Sequence, residues 1–151
     1  MRMSDKGIAA LIKWEGFKTK AYKDTAGLWT IGVGHLINLE TEKSLLTAKL
    51  TPAEVHALLK NDLLIYEKEV LRVIKKPLTQ NQFDALVSLC FNLGGPKFSR
   101  STVVRLAKDN PDNQAIGDAF LMWNKSGGKV TDGLVTRRKE EVDVYFKSKY
   151  P

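Results

Sequence analysis

Cysteine is almost missing from this chain of 151 residues: Cys90 stands alone. No internal disulfide can form, so folding does not depend on an oxidising compartment. Long apolar runs are missing too. The first, Ile8 to Ile12, is stopped by Lys13, which fits neither a signal peptide nor a membrane span, so no membrane anchor is expected. Histidine occurs only as His35 and His56, which form no ligand pattern with Cys90. No metal or organic cofactor is implied. His35 reads as a support for local structure, His56 as a helix-surface residue and Cys90 as a small buried hydrophobe. Like charges never run to five in a row. The densest cluster, Arg137-Arg138-Lys139, is followed at once by Glu140-Glu141 and reads as a solvated helix face. Still, 24 Lys and Arg against 17 Asp and Glu leave a formal charge of +7. That surplus favours polyanionic partners without choosing among nucleic acid, anionic membrane and acidic wall polymers.

What is present is mostly helix. Ser4 can cap a first helix carrying Ile8, Leu11 and Ile12 on one face, with Gly16 as its stop. Thr51-Pro52-Ala53-Glu54 combines an N-cap, an N1 proline and an N3 carboxylate. The spacing predicts one helix from there to about Ile74, its stripe running Val55, Leu58, Leu59, Asp62, Tyr66, Val70 and Val73, halted before Pro77. Thr79 to Gln82 repeats the capping box and opens a core helix through Phe83, Leu86, Val87 and Cys90, closed by Gly94-Gly95. Further helices are expected over 101–108, 112–123 and 134–147, with breaks at Asn110-Pro111 and Gly127-Gly128. Residues 38–49 read as loop or a weak short helix. The one convincing β region is 20–36, rich in turns. The chain therefore reads as α+β, mainly α: an N-terminal lobe over about 1–50, a bridging helix over about 52–75 and an all-α lobe over about 77–151, with a cleft as the natural result.

The β region holds the chemistry. Glu15 precedes the glycine that ends the first helix, Asp24 lies in an Asp-Thr-Ala-Gly turn, and Thr30 enters a short strand. Two carboxylates and a hydroxyl on three adjacent elements can converge on one point. Each alone would be an ordinary surface or turn residue; the joint pattern is what carries meaning.

Glu15, eight residues, Asp24, five residues, Thr30, set within Lys-x-Tyr-x-Asp-x-x-Gly-x-x-Thr-Ile-Gly-x-Gly-His, resembles the active-site segment of phage T4-type lysozymes, endolysins of glycoside hydrolase family 24. The stretches Pro77 to Leu86, Phe91-Asn92-Leu93-Gly94 with Phe98 and Ser101-Thr102, and Gly133 to Glu141 resemble that family's central helix, its end, and its closing helix. The resemblance implies a lysozyme-like fold and a muramidase acting on peptidoglycan glycan strands. It implies an enzyme made in the host cytoplasm that reaches the wall through a separate holin-like pore-former; a monomer is the default for an enzyme that must diffuse through a mesh. No nucleic acid is implied. Substrate contacts are implied at Leu36, Phe91, Asn92 and Ser101, although Phe91 reads equally well as core. Lys129 is only a loose counterpart of the cation that approaches the catalytic acid in relatives, and Arg138 reads as structural.

Glycoside hydrolysis needs a proton donor for the leaving oxygen and a second carboxylate across the bond. Glu15, expected to be partly desolvated beside Trp14 and Phe17, suits the acid. Asp24, in an exposed turn, suits the base, and Thr30 could hold a water against it. Such a water implies inversion, as the resemblance also does, although Asp24 as a nucleophile stays open from the residues alone. Two other functions compete: a lytic transglycosylase, which has no use for Asp24 and Thr30, and a non-catalytic helical binding protein, which lacks a concentrated basic stripe.

Overall fold

The computed structural model describes residues Met1–Pro151. They form two compact units, one of Ile8–Leu63 and one of Met1–Gly7 with Leu64–Pro151. Helix α1 (Asp5–Glu15) begins in the second unit and ends in the first. Ser4 caps it, the hydroxyl accepting from the Gly7 amide at 3.0 Å. Gly16 closes it at φ +72, a backbone geometry that a residue without Cβ adopts at little cost, its amide bonding the Ile12 carbonyl at 2.8 Å.

The unit of Ile8–Leu63 contains an antiparallel sheet in the order β1 (Lys18–Lys23), β2 (Trp29–Gly32), β3 (His35–Leu36). Tyr22 pairs with Thr30 and Lys23 with Trp29, while Thr30 pairs with Leu36 on its other side. Directly paired residues share a face, so Tyr22, Thr30 and Leu36 form one row. A 3₁₀ turn, Lys43–Leu46, occupies the stretch read as loop or weak helix. Helix α2 (Pro52–Asp62) starts on the expected Thr51/Glu54 capping box and packs on the sheet.

The helix expected to run unbroken to Ile74 is two helices: α2 stops at Asp62, and α3 (Leu64–Val73) begins after Leu63. The interruption is one residue wide: Leu63 keeps φ −70 and ψ −17, and its amide still bonds the Leu59 carbonyl at 2.9 Å. The boundary between the two units falls at the same place.

In the larger unit, α4 (Gln80–Leu93) opens on the Thr79/Gln82 capping box and is buried on every face from Gln82 to Cys90. It packs mainly on α8 (Asp132–Lys147). Around them lie α5 (Gly95–Ser99), α6 (Thr102–Asp109) and α7 (Ala115–Leu121). The Gly127-Gly128 break is the turn of a small hairpin that sequence reading missed, β4 (Lys125–Ser126) with β5 (Lys129–Val130). Both glycines have positive φ, +57 and +80, as a two-residue hairpin turn requires. Asp84, nearly sealed, accepts from the Ser4 amide at 3.0 Å, the Gln80 amide nitrogen at 2.8 Å and the Tyr150 hydroxyl at 2.7 Å. Both ends of the chain are thereby tied to α4. Burial pushes the Cys90 thiol up to about 12, with Glu69 adding to the shift, so it stays protonated and inert.

Candidate active site

The turn that joins β1 to β2 is built by Asp24. Its backbone amide donates to the Leu28 carbonyl at 2.9 Å. Its Oδ1 accepts from the amides of Ala26 at 2.9 Å and Leu28 at 2.8 Å. An Asx turn of this kind is what Asp does best in a loop, so the residue shapes the hairpin it sits on. Two amides on one oxygen also fix the carboxylate's direction. No amide claims Oδ2.

Thr30 is 2 % exposed, and its hydroxyl donates to the Leu28 carbonyl at 3.0 Å. With its proton committed, that hydroxyl can only accept from a further partner. In the register of β1 and β2, residues 22 and 30 are opposite one another. Asp24 follows the end of β1, its amide bonded to Leu28, two residues before Thr30 on β2. The hairpin therefore carries two of the three residues singled out for catalysis.

Glu15 ends α1 and is exposed. The expected shielding is not supplied by its neighbours: Trp14 is half-buried and Phe17 is 48 % exposed. The chain turns out toward solvent at Gly16, carrying Phe17 with it.

The residues implied as substrate contacts differ in setting. Leu36 is 55 % exposed in the row of Tyr22 and Thr30. Phe91 is half-buried, its ring edge-on to Tyr66 with centroids 5.1 Å apart. Asn92 is exposed, but its Oδ1 accepts from the Arg138 guanidinium. Ser101 is buried and its hydroxyl caps α6, accepting from the Val104 amide at 3.2 Å, which leaves its own proton to donate. Lys129 lies exposed on β5. Arg138, 1 % exposed, donates to Glu141, to Asn92 and, at 2.8 Å, to the Trp123 carbonyl. It is structural, as read, but the cluster read as a solvated helix face is not one: Arg137 and Arg138 are both buried, paired with the buried Glu141.

One feature escaped sequence reading. His35 is held between two carboxylates, with Nδ1 2.8 Å from Asp62 Oδ2 and Nε2 3.0 Å from Glu42 Oε1. Burial works to lower the His35 pKa, yet the hydrogen bonds and charges of Glu42 and Asp62 outweigh it and the net shift is upward. Asp62 is shifted up by burial, with His35 pulling the other way; Glu42 is shifted down, chiefly by the Asn38 amide and then by His35. The clamp fixes β3, and with it Leu36, to the start of the following turn and the end of α2. A signal was present: Asp62 falls in the apolar stripe of its helix, where a carboxylate needs a partner.

Comparison with known proteins bears directly on this geometry. The family model described as phage lysozyme matches residues 12–141, a span that contains Glu15, Asp24 and Thr30. The chain belongs to the phage lysozyme family. It is 41 % identical over 141 residues to the endolysin of Salmonella phage P22, covering 93 % of this chain and 95 % of that one. A crystal structure of a P22 lysozyme variant superposes with a TM-score of 0.87 at 39 % identity, covering 96 % of this chain and 98 % of the other. The muramidase domain of SpmX from Asticaccaulis excentricus gives 0.83 at 32 %, over 95 % and 97 %. Mixed helix and small sheet are thus the fold of phage lysozymes, and this member of the family is a glycoside hydrolase that cleaves peptidoglycan.

Proposed function

We propose that this lysozyme hydrolyses the β-1,4 bond between N-acetylmuramic acid and N-acetylglucosamine, with Glu15 as general acid, Asp24 as general base and Thr30 positioning the attacking water. The observation that carries this reading is the hydrogen-bond state of the hairpin. Thr30 has spent its proton on Leu28, and Asp24 presents Oδ2 beyond the oxygen fixed by two amides. A water between them meets two acceptors, so it donates both protons and turns a lone pair outward. That is the orientation a nucleophile needs.

In the step itself, Glu15 transfers its proton to the glycosidic oxygen as the bond to C1 breaks. The water oxygen bonds to C1 from the opposite face and Asp24 takes its proton. Glu15 leaves as carboxylate and Asp24 as acid, and exchange with solvent resets both. Attack by water from the face opposite the leaving group inverts the anomeric carbon. Inverting enzymes hold their carboxylates about 6.5 to 9.5 Å apart to admit that water. Leu36, exposed beside Thr30, is the proposed sugar contact on the hairpin.

The enzyme acts as a monomer, made in the cytoplasm and passed to the wall by a separate pore-former. No helix is long and apolar enough to cross a membrane. Proton NMR of a fresh digest of a soluble glycan tests the stereochemistry. The α-anomer should appear first; initial β-anomer would replace the water with Asp24 as nucleophile.

A further inference from the structure

Four of the six arginines are partnered by carboxylates: Arg2 by Glu67, Arg72 by Glu69, and Arg137 and Arg138 by Glu141. The remaining two, Arg100 and Arg105, make no ion pair and line the same recess of about 400 Å³. Lys108, also without one, lines it with them, and Asp109 is the only anion there.

The recess is written into α6 and its cap. Ser101, Val104, Arg105 and Lys108 stand at i, i+3, i+4 and i+7, a single stripe of the helix surface. Ser101 and Val104 are buried and make the floor; Arg100, Arg105 and Lys108 are exposed and make the rim. Like charges crowded this way repel, and exposed cations without partners gain nothing from one another. A guanidinium binds a carboxylate through two parallel hydrogen bonds, and two such groups beside an ammonium suit anions repeated along a chain.

We propose that this recess is a wall-retention site, distinct from the catalytic hairpin, that binds carboxylates of the peptides borne by peptidoglycan. The proposal rests on the peptidoglycan-cleaving reading of the enzyme. Retention keeps a small basic protein on an insoluble polymer between cleavages, while the sugar chemistry stays with Glu15, Asp24 and Thr30.

The test compares two triple variants that remove equal charge. Arg100→Gln/Arg105→Gln/Lys108→Gln alters the recess, and Lys6→Gln/Lys43→Gln/Lys139→Gln alters exposed sites elsewhere. Binding to purified sacculi at low salt should weaken about fivefold more for the recess triple, in line with losing three exposed ion pairs. Turnover of a short, peptide-free soluble glycan should be unchanged in both. Hydrofluoric acid, which strips phosphate polymers, should leave the difference between the triples intact, and amidase removal of the peptides should abolish it. Equal losses in the two triples would overturn the site in favour of diffuse charge, and a difference abolished by hydrofluoric acid would overturn its ligand in favour of phosphodiesters. Failure of the unaltered enzyme to release glycan fragments would instead sink the lysozyme reading on which the proposal stands.

Discussion

Thr30 offers the sharpest residue-scale test, because its shape and its hydroxyl can be separated. Thr30→Val keeps the buried volume and removes the acceptor for water; Thr30→Ser keeps the acceptor. Activity on a soluble glycan should fall by about a hundredfold or more in the first and stay within about tenfold in the second, since a positioned acid-base apparatus contributes about 10² to 10⁴ in rate. Comparable losses in both would make Thr30 a packing residue only. Glu15→Gln should remove hydrolysis while thermal stability stays within about 0.5 kcal/mol, as befits an exposed helix-end position. Calorimetry beside a turbidity assay checks both halves, and a variant that still lyses cells at the normal rate would exclude Glu15 as the acid.

At the scale of elements, the His35 clamp makes the fold's stability depend on pH. The folded pKa of His35 is raised above its ordinary 6.5, so its contribution is complete below that value and is lost as pH rises through the folded one. Glu42 runs the other way: its pKa is lowered from 4.5, and its contribution fades only in acid. His35→Gln should therefore cost more stability near pH 5.5 than near pH 9, by about 1 kcal/mol for a partly exposed cluster. Urea unfolding at the two pH values measures it, and a cost independent of pH would mean that the imidazole serves only by its shape.

Legibility in the sequence followed locality. The caps at Ser4, Thr51 and Thr79, the helix stop at Gly16 and the turn at Asp24 all rest on neighbours within four residues, and all were readable. The one-residue interruption at Leu63 was not, because periodicity continues through it and the backbone there stays helical. Glu15's exposure was misjudged, since adjacency to aromatic residues says nothing about where those rings point. Gly127-Gly128 read as a break when two glycines with positive φ also make a hairpin. Ser101, read as the first residue of its helix, is the cap before it.

Over the whole molecule, the formal charge of +7 acts on where the enzyme resides more than on how it cleaves. Raising salt from about 0.05 to 0.5 M should release it from sacculi while cleavage of a short neutral oligosaccharide changes little. Equal suppression of the two would show that charge serves the chemical step. The central claim, that this is a hydrolase whose water is handled by Asp24, is tested most directly by digesting purified peptidoglycan with the enzyme and with its Asp24→Asn variant and identifying the new glycan ends by mass spectrometry. Hydrated muramic ends are expected from the first and almost none from the second. Anhydro ends, or undiminished digestion without the Asp24 carboxylate, would contradict it.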